Sequence, residues 1–236
     1  ARVHDLVSLG TLPGRVDTNG RFEPAAPCLG LGARERFTGI LLEDLTGTAV
    51  LGYRAASFSI TKVSMWALDT LIDLGFTYDS SVFPVRHHDN YGIPEAPLGP
   101  CRMRAPSGRT LIEVPLSVAD VAGLRVPVSG GGYFRLFPYW LSRAGMRHVE
   151  RKSGRPVIFY VHPWEIDVDQ PRVQAGLVSR LRPYNNISRC EARLRRLLQD
   201  FQFGTMSDVL AVHGMLPIPS RARENTVIGQ PAVALS

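Results

Sequence analysis

The order of apolar and polar positions predicts strands that alternate with helices. From residue 40 onward, short apolar runs with strand spacing are followed by segments with helical spacing, which is typical of an α/β fold with a mainly parallel sheet. Glycines and prolines interrupt every apolar run before residue 40, so no element is predicted there. The predicted strands are residues 49–53, 75–79, 111–117 and 157–161, and the predicted helices are residues 40–47, 65–72, 138–152 and 188–201.

The strand at 157–161 and the helix at 188–201 have the strongest patterns. The strand sequence, VIFYV, is apolar on both faces, as in a buried parallel sheet, and it stops at the polar cluster HPWE. The helix sequence, SRCEARLRRLLQDF, carries an apolar stripe and opens with a predicted capping box formed by Ser188 and Glu191.

Three segments are predicted to lack regular structure. Residues 84–109 contain five prolines and are expected to form a long loop, which in a compact domain is usually functional or disordered. SGGGYF, at 129–134, lacks the lysine of a phosphate-binding loop and is expected to be a tight turn that lets a ligand approach the backbone. The tail from 217 to 236 is expected to be frayed.

Length and composition fit one globular domain. The 236 residues are 44% apolar, enough for a sizeable core. No apolar run approaches the roughly 18 residues that cross a bilayer, and the start lacks the order of a signal peptide, so no membrane span and no export are expected. Three widely spaced cysteines without a C-x-x-C predict reduced thiols and a cytoplasmic location.

The net charge of +6 comes almost entirely from arginine, since Lys62 and Lys152 are the only lysines. A nucleic-acid binder would gather its basic residues on one surface among aromatic side chains. Here they are spread along the chain, and the run in residues 189–196 is typical of a solvated helix face. We therefore expect no nucleic-acid partner.

Three residues with catalytic potential follow predicted strands. Arg54, Asp79 and His162 each come at or just past a strand's carboxyl end, where parallel sheets place their active sites. Arginine can hold an oxyanion, histidine can give or take a proton, and a nearby aspartate would keep that histidine protonated. The combination indicates the acid half of a hydrolytic site.

Each of these residues also has a structural interpretation. His162 could be a satisfied structural histidine, and Asp79 could cap a turn. Trp164 and Tyr160 could be core aromatics or a surface that stacks on sugar rings. The run 87–89, His-His-Asp, is better explained as a polar loop tip than as a metal site, because adjacent residues rarely chelate one ion.

Six motifs carry a resemblance to a known family. GYRAASFSI, WALDTLIDLGFTYDSSVFP, HDNYGIPEAP, SGGGYFRLFPY, FYVHPWEID and RPYNNISRCEARLRRLLQDFQF resemble, in the same order, the motifs of bacterial polysaccharide deacetylases of the NodB-homology superfamily. The similarity covers residues 40–212. It is greatest to the subgroup associated with exosortase and exopolysaccharide gene clusters, which has a C-terminal extension.

The resemblance implies a distorted (β/α) barrel that removes N-acetyl groups from an amino-sugar polymer in exopolysaccharide biosynthesis, with a divalent metal, usually zinc. Arg54 matches the arginine that orients the base, His162 matches the acid, and Asp79 matches the aspartate that tunes the acid. Ala56 stands where the family usually has proline, so the turn beside Arg54 is expected to be looser.

Four further residues are expected to contact the polymer. Trp164 and Tyr160 lie beside the acid in the motif FYVHPWE, Tyr91 lies in the loop motif HDNYGIPEAP, and Glu113 lies in the strand LIEV. The same aromatic residues support a second hypothesis from another class, in which the protein is a non-catalytic saccharide-binding or scaffold protein.

The motifs for the metal half of the site are missing. The family uses an aspartate pair and an H-[ST]-x-x-H pair, but His4 has no such partner, and Asp5 and Asp17 are not paired. No metal ligands are therefore assigned, and activity is expected to be impaired or absent.

The missing motifs also set the expected domain organisation. Residues 1–39 are expected to be unmatched, either disordered or translated out of register. Residues 40–216 are expected to form a partial (β/α) barrel that lacks its early strands, and residues 217–236 a tail.

Overall fold

The computed structural model describes the backbone of residues 6–9, 14–16 and 22–24, and describes residues 39–86, 92–170 and 185–217 with their side chains. The chain divides into two compact units, residues 1–203 and 204–236. The domain boundaries predicted from the sequence at 39/40 and 216/217 stay predictions.

Nine strands are present in the described residues. They are β1 (Leu6–Leu9), β2 (Gly14–Val16), β3 (Phe22–Pro24), β4 (Gly52–Ala55), β5 (Tyr78–Asp79), β6 (Cys101–Arg104), β7 (Thr110–Glu113), β8 (Val118–Val121) and β9 (Leu124–Pro127). The main sheet has the order β1-β4-β5-β7-β6, in which the first four strands are parallel and β6 is antiparallel to β7. Two antiparallel pairs, β2–β3 and β8–β9, stand apart from it.

Six helices accompany these strands within the described ranges. They are α1 (39–46), α2 (Trp66–Asp73), α3 (Gly131–Leu136), α4 (Tyr139–Ser153), α5 (Ile187–Asp200) and α6 (Met206–Val212). Helix α6 belongs to the second unit and begins at Thr205, whose hydroxyl accepts a hydrogen bond from Asp208 N–H at 3.1 Å. No helix in the described part is both long enough and apolar enough to cross a membrane.

The main sheet is open. Its edges in the described residues are β1 and β6, and the strands do not close on each other. The predicted α/β class with parallel strands is therefore confirmed, while the barrel implied by the resemblance is not seen. The strand β1 shows that the first 39 residues contribute to the sheet, although no element was predicted there; its sequence, LVSL, is too short to give a pattern by itself.

Four helices follow the predicted periodicity. Helices α1, α2, α4 and α5 agree with the predicted segments to within a few residues, because each carries apolar side chains at helical spacing. Gly47 ends α1 with φ = 63°, a conformation that glycine adopts without steric cost, and its N–H donates to Glu43 O at 2.8 Å.

Residues 157–161 were predicted to form a strand, but they are not a strand of any sheet. They make a single parallel bridge, between Tyr160 and Gly130. The bridge consists of Tyr160 N–H, which donates to Ser129 O at 2.7 Å, and Gly131 N–H, which donates to Tyr160 O at 3.1 Å. Beside it, Ile158 N–H donates to a side chain, Ser117 Oγ, at 2.8 Å. The apolar pattern correctly indicated a half-buried extended segment, but a buried backbone can be satisfied by serine and loop groups as well as by a strand.

The glycine-rich segment is a helix start instead of a turn. Gly130, with φ = 115°, precedes α3, and a Cβ on it would lie 2.0 Å from Tyr160 O. A Cβ on Gly131 would lie 2.5 Å from the Tyr160 hydroxyl. The close approach that these glycines allow is therefore made by the protein's own Tyr160, which corrects the expectation of a ligand there.

Two strand pairings were not predicted, one inside the predicted loop 84–109 and one in residues 118–127, for which no element was predicted. β6 lies within the predicted loop 84–109, and β8 and β9 form a hairpin whose turn, Ala122 and Gly123, has φ values of 52° and 84°. Both positive values suit the type of turn that matches the twist of a hairpin. An alanine at such a position gives little sequence signal.

The predicted capping box of α5 is wrong. The helix begins after Asn186, which has φ = 57°, and no side chain caps it. Glu191 bonds Arg195 Nη2 at 2.7 Å instead. The apolar stripe was correct, since Cys190 and Leu197 are fully buried.

Candidate functional site

Three charged residues meet at the carboxyl ends of the central strands. Asp79 and Glu113 are the last residues of β5 and β7 and are register partners, and both are 0% exposed. Arg54 lies inside β4, one residue beyond the partner of Asp79, and is 9% exposed. We call Arg54, Asp79, Ser80 and Glu113 the strand-end cluster. The sequence predicted Arg54 to follow its strand; in the structure it is the third residue of that strand.

Arg54 bonds a serine, not a carboxylate. Its Nε donates to Ser80 O at 2.9 Å and its Nη2 donates to Ser80 Oγ at 2.7 Å. The Ser80 hydroxyl in turn donates to Val114 O at 2.7 Å. Burial lowers the pKa of Arg54, and the negative charges of Asp79 and Glu113 oppose that shift. The guanidinium is therefore oriented by neutral groups while it acts on both carboxyls through space.

The two carboxyls each use one oxygen. Glu113 Oε1 accepts from Val82 N–H at 3.0 Å, and Asp79 Oδ1 accepts from Ser81 Oγ at 2.6 Å. The other two oxygens, Asp79 Oδ2 and Glu113 Oε2, are buried and have no hydrogen-bond partner as long as both groups are ionised.

A proton between these carboxyls resolves that deficit. Burial raises the pKa of Asp79, although Glu113, Ser81, Ser80 and Arg54 all oppose the rise. Burial and the neighbouring Asp79 raise the pKa of Glu113 well above its ordinary value. A protonated Glu113 can donate to Asp79, which satisfies both orphaned oxygens. The strand-end cluster then holds one proton and one net carboxylate charge next to Arg54.

A second cluster surrounds the histidine. Residues 163–165 form a single 3₁₀ turn directly after His162. Glu165, the last residue of this turn, is buried. Its Oε1 accepts from Arg135 Nε at 2.7 Å, and its Oε2 accepts from His162 N–H at 2.9 Å. We call Arg135, His162, Trp164 and Glu165 the turn cluster.

The rings of the turn cluster are stacked. The imidazole of His162 lies parallel to the indole of Trp164, with centroids 5.8 Å apart and 10° between the planes. The guanidinium of Arg135 lies over the same indole at 4.9 Å. His162 is exposed and Trp164 is 39% exposed, whereas Arg135 is only 3% exposed. The exposed imidazole of His162 therefore packs on an indole that the buried guanidinium of Arg135 also contacts.

Tyr160 connects the two clusters. Its ring lies 5.9 Å from the Arg54 guanidinium and 5.5 Å from the His162 ring centroid. Phe58 packs edge-on against it at 5.3 Å. Ser57 and Phe58 have φ values of 56° and 52°, unusual for residues with side chains, so the chain after Arg54 takes a strained path.

The structure places the predicted site residues in two groups. Arg54, Asp79 and Glu113 come together, as do Tyr160, His162 and Trp164, while Tyr91 lies outside the described residues. The charged groups that act on the Asp79 carboxyl are Glu113 and Arg54, and the predicted proximity of Asp79 to His162 stays a prediction. Glu113 has no exposed surface on which a polymer could lie. The roles assigned from the sequence stay predictions.

Sequence reasoning missed the support of the turn cluster. Asn186 Nδ2 donates to Arg135 O at 2.9 Å, and Arg193 Nη1 donates to the Phe134, Arg135 and Phe137 carbonyls. These bonds close the carboxyl end of α3. One signal was visible: the charges of Arg135 and Glu165 lie in largely apolar segments, where a charge needs a partner.

The described side chains do not form a metal site. In the ranges 39–86, 92–170 and 185–217, no three histidine, cysteine, aspartate or glutamate side chains gather closely enough to hold an ion. The zinc implied by the resemblance therefore does not fit the described donor set, and no step is derived through it. His4, Asp5, Asp17 and residues 87–89 lie outside the described residues.

The fold and the site define an α/β protein with charged clusters beside the carboxyl edge of a parallel sheet. The chain belongs to the family described as a domain of unknown function, DUF3473, whose profile matches residues 80–211, more than half of the sequence. This span contains Glu113 and the whole turn cluster and begins directly after Asp79. No curated protein and no solved structure matches the chain.

Proposed function

We propose that the protein is a polysaccharide deacetylase-like hydrolase that acts on the N-acetyl groups of an amino-sugar polymer in exopolysaccharide biosynthesis. The six ordered motifs and the family membership support this class. The observation that carries the proposal is the exposed imidazole of His162, stacked on Trp164 and joined through Tyr160 to the strand-end cluster.

In this proposal His162 donates the proton that the leaving amine needs when the C–N bond of the acetamide breaks. Its exposure gives a substrate access, and its parallel contact with Trp164 fixes the plane of the ring. Trp164 and Tyr160 form the wall against which a sugar ring lies. Arg54, held by Ser80, supplies positive charge beside that wall.

The other half of the reaction has no residues assigned to it. In relatives that have the complete motif set, the resemblance implies a zinc ion that activates the attacking water, but the described side chains offer no ligand set for it. We therefore propose that this chain by itself hydrolyses acetamides weakly or not at all, and that its retained capacity is to bind the N-acetylated polymer.

The test is acetate release from an N-acetylglucosamine oligomer, with and without added zinc, beside calorimetric binding of the same oligomer and its de-N-acetylated form. We expect binding that prefers the acetylated form and little acetate. Rapid turnover with one bound zinc per chain would contradict the proposed impairment. Absence of both binding and acetate release would contradict the proposed function.

A second candidate function is non-catalytic saccharide binding, which the 39% exposure of Trp164 favours. Aromatic rings that face solvent beside a polar group suit one face of a pyranose. Here the oligomer would bind equally well with or without its acetyl groups. Replacing Trp164 with alanine should weaken binding about 5-fold or more, since a well-packed aromatic contact contributes at least ~1 kcal/mol.

We also propose a cytoplasmic location and no nucleic-acid partner. Cys101 and Cys190 are free thiols, and burial together with the nearby Glu113 raises the pKa of Cys101 to about 11, which keeps it protonated. A steep salt dependence of DNA retention would contradict the second proposal.

A further inference from the structure

The turn cluster contains more charge than a structural turn requires. Arg135 and Glu165 form an ion pair with side chains 3% and 1% exposed, at 2.7 Å. Taking both charges out of water costs several kcal/mol per ion before their attraction is counted, and apolar residues of similar size often stabilise such a site equally well. The pair therefore calls for an explanation beyond stability.

The carboxylate of Glu165 connects Arg135 to the histidine backbone. One oxygen accepts from the Arg135 guanidinium and the other accepts from His162 N–H. The position of Arg135 therefore constrains the backbone of His162, from which the imidazole projects. The bond to His162 closes the 3₁₀ turn together with Glu165 N–H, which donates to His162 O at 2.9 Å. Glu165 thus ties both backbone polar groups of His162.

The indole of Trp164 connects Arg135 to the histidine side chain. The guanidinium lies 4.9 Å from the indole centroid, and the imidazole stacks on that indole with 10° between the planes. A planar guanidinium packs on an aromatic face in a way that an ammonium does not. Arg135 therefore contacts both groups that define the orientation of His162.

Arg135 is itself held by the C-terminal segment of the family domain. Its Nη1 donates to Asn185 O at 3.2 Å, and its own carbonyl accepts from Asn186 Nδ2 and Arg193 Nη1. Asn185, Asn186 and Arg193 thus hold the guanidinium and the backbone carbonyl of Arg135.

We propose that Arg135 is a positioning residue for His162: acting through Glu165 and Trp164, it keeps an exposed imidazole in one orientation. This inference rests on the proposed function for its catalytic consequence, because a proton donor must hold its geometry. The orientation itself is a property of the folded chain and can be measured whether or not the chain hydrolyses an acetamide.

The test uses the paired substitution Arg135→Met with Glu165→Gln, which removes both charges at nearly constant volume and leaves no unpaired buried ion. The matched control is Arg195→Met with Glu191→Gln, the same exchange at an exposed pair with side chains 75% and 55% exposed. Nuclear magnetic resonance reads the C–H resonances of the His162 ring, assigned from their loss in His162→Gln.

We expect the His162 ring resonances to move away from their stacked positions in the Arg135/Glu165 variant and to stay in place in the control. A folded Arg135/Glu165 variant with unchanged His162 resonances would overturn the proposal. If that variant does not fold, Arg135→Lys decides, since lysine keeps the charge and loses the planar contact: movement of the resonances supports the proposal and their constancy overturns it.

Kinetics distinguish this inference from the proposed function. Where acetate release is measurable, a positioning role lowers kcat by on the order of 10- to 100-fold and leaves KM nearly unchanged. If the ring resonances move but kcat and KM do not change, Arg135 still orients His162. That result would contradict the role of His162 as proton donor. If the parent chain has no activity, the resonance experiment still decides whether Arg135 orients the His162 ring.

Discussion

The strand-end cluster and the turn cluster differ in how their buried arginine and carboxyl groups are hydrogen-bonded. In the turn cluster one arginine bonds one carboxylate directly, and every oxygen of Glu165 has a partner. In the strand-end cluster one arginine stands beside two carboxyls and bonds only Ser80, and two carboxyl oxygens lack partners unless a proton lies between them. The first arrangement satisfies both carboxylate oxygens with fixed donors, whereas the second leaves two buried oxygens that a shared proton would satisfy.

The two clusters therefore suit different roles, the turn cluster the positioning of His162 and the strand-end cluster the binding of a proton. The ion pair of the turn cluster bonds both the Arg135 guanidinium and the His162 N–H, so it is suited to holding His162. Burial raises the pKa of both carboxyls of the strand-end cluster, so this pair holds a proton to a higher pH than free carboxyl groups do. The ring of Tyr160 lies between the clusters, 5.9 Å from the Arg54 guanidinium and 5.5 Å from the His162 ring centroid.

The largest expected effect is on the turn cluster. Arg135→Met leaves Glu165 charged, buried and without its ion-pair partner, which should lower the free energy of unfolding by about 3–5 kcal/mol. Urea unfolding followed by circular dichroism measures it. Because Arg135→Met with Glu165→Gln removes the stranded charge, the double variant should recover much of the loss; an equal loss in both would contradict the stranded-charge explanation.

A smaller loss is expected at the strand-end cluster. Arg54→Met removes the bonds to Ser80 O and Ser80 Oγ but leaves no stranded ion pair, because the carboxyls can hold a proton instead. The free energy of unfolding should fall by about 1.5–3 kcal/mol, the usual range for bonds from a charged donor. A loss as large as that of Arg135→Met would indicate that Arg54 is paired as tightly as Arg135.

The pH dependence of stability should come from Glu113. Its pKa is raised in the folded chain, so the folded state binds the proton more tightly than the unfolded chain does. The stabilisation is fully present below the ordinary carboxyl pKa of about 4.3 and is lost as the pH rises through the folded pKa. Glu113→Gln keeps a neutral donor toward Asp79, so it should unfold with a weaker pH dependence than the parent chain.

Thermal unfolding measured across the acid-to-neutral range checks this expectation. The stability advantage of Glu113→Gln over the parent should grow as the pH rises. A constant difference between the two proteins would mean that Glu113 is not the group that titrates.

The smallest effect is expected at the exposed pair of α5. Glu191→Gln removes the bonds to Arg195 on a solvated helix face and should change the free energy of unfolding by only about 0.3–0.5 kcal/mol. The same urea titration measures it. A loss of several kcal/mol would undermine the argument that burial, and not charge pairing as such, distinguishes the turn cluster.

Much of the fold follows from patterns that a single strand or helix carries by itself. The helical periodicity of residues 65–72 and 188–201 identified α2 and α5, and the strand end at Asp79 was predicted correctly. Glu113 was predicted to lie inside a longer strand, 111–117, whereas in the structure it ends β7. The register between Asp79 and Glu113 could not be predicted, because it depends on pairing between segments more than 30 residues apart.

The turn cluster was beyond the reach of sequence patterns for a similar reason. Arg135 and Glu165 are 30 residues apart in two different motifs, and neither motif by itself predicts that the two side chains pair. The segment 157–161 has the composition of a strand but satisfies its backbone through Ser117 and Ser129, a choice that only the tertiary structure makes. The start of α5 shows the same competition between local and long-range bonds, because the Asn186 side chain donates to Arg135 O and does not cap the helix.

The contrast between the clusters is tested most directly by infrared spectroscopy of the carboxyl groups at mildly acidic pH. The parent chain should show the C=O stretch of a buried protonated carboxyl, absent from Glu113→Gln and retained in Glu165→Gln, the matched change at the other buried glutamate. A protonated band that disappears with Glu165 and survives the loss of Glu113 would contradict the assignment of the shared proton to the strand-end cluster.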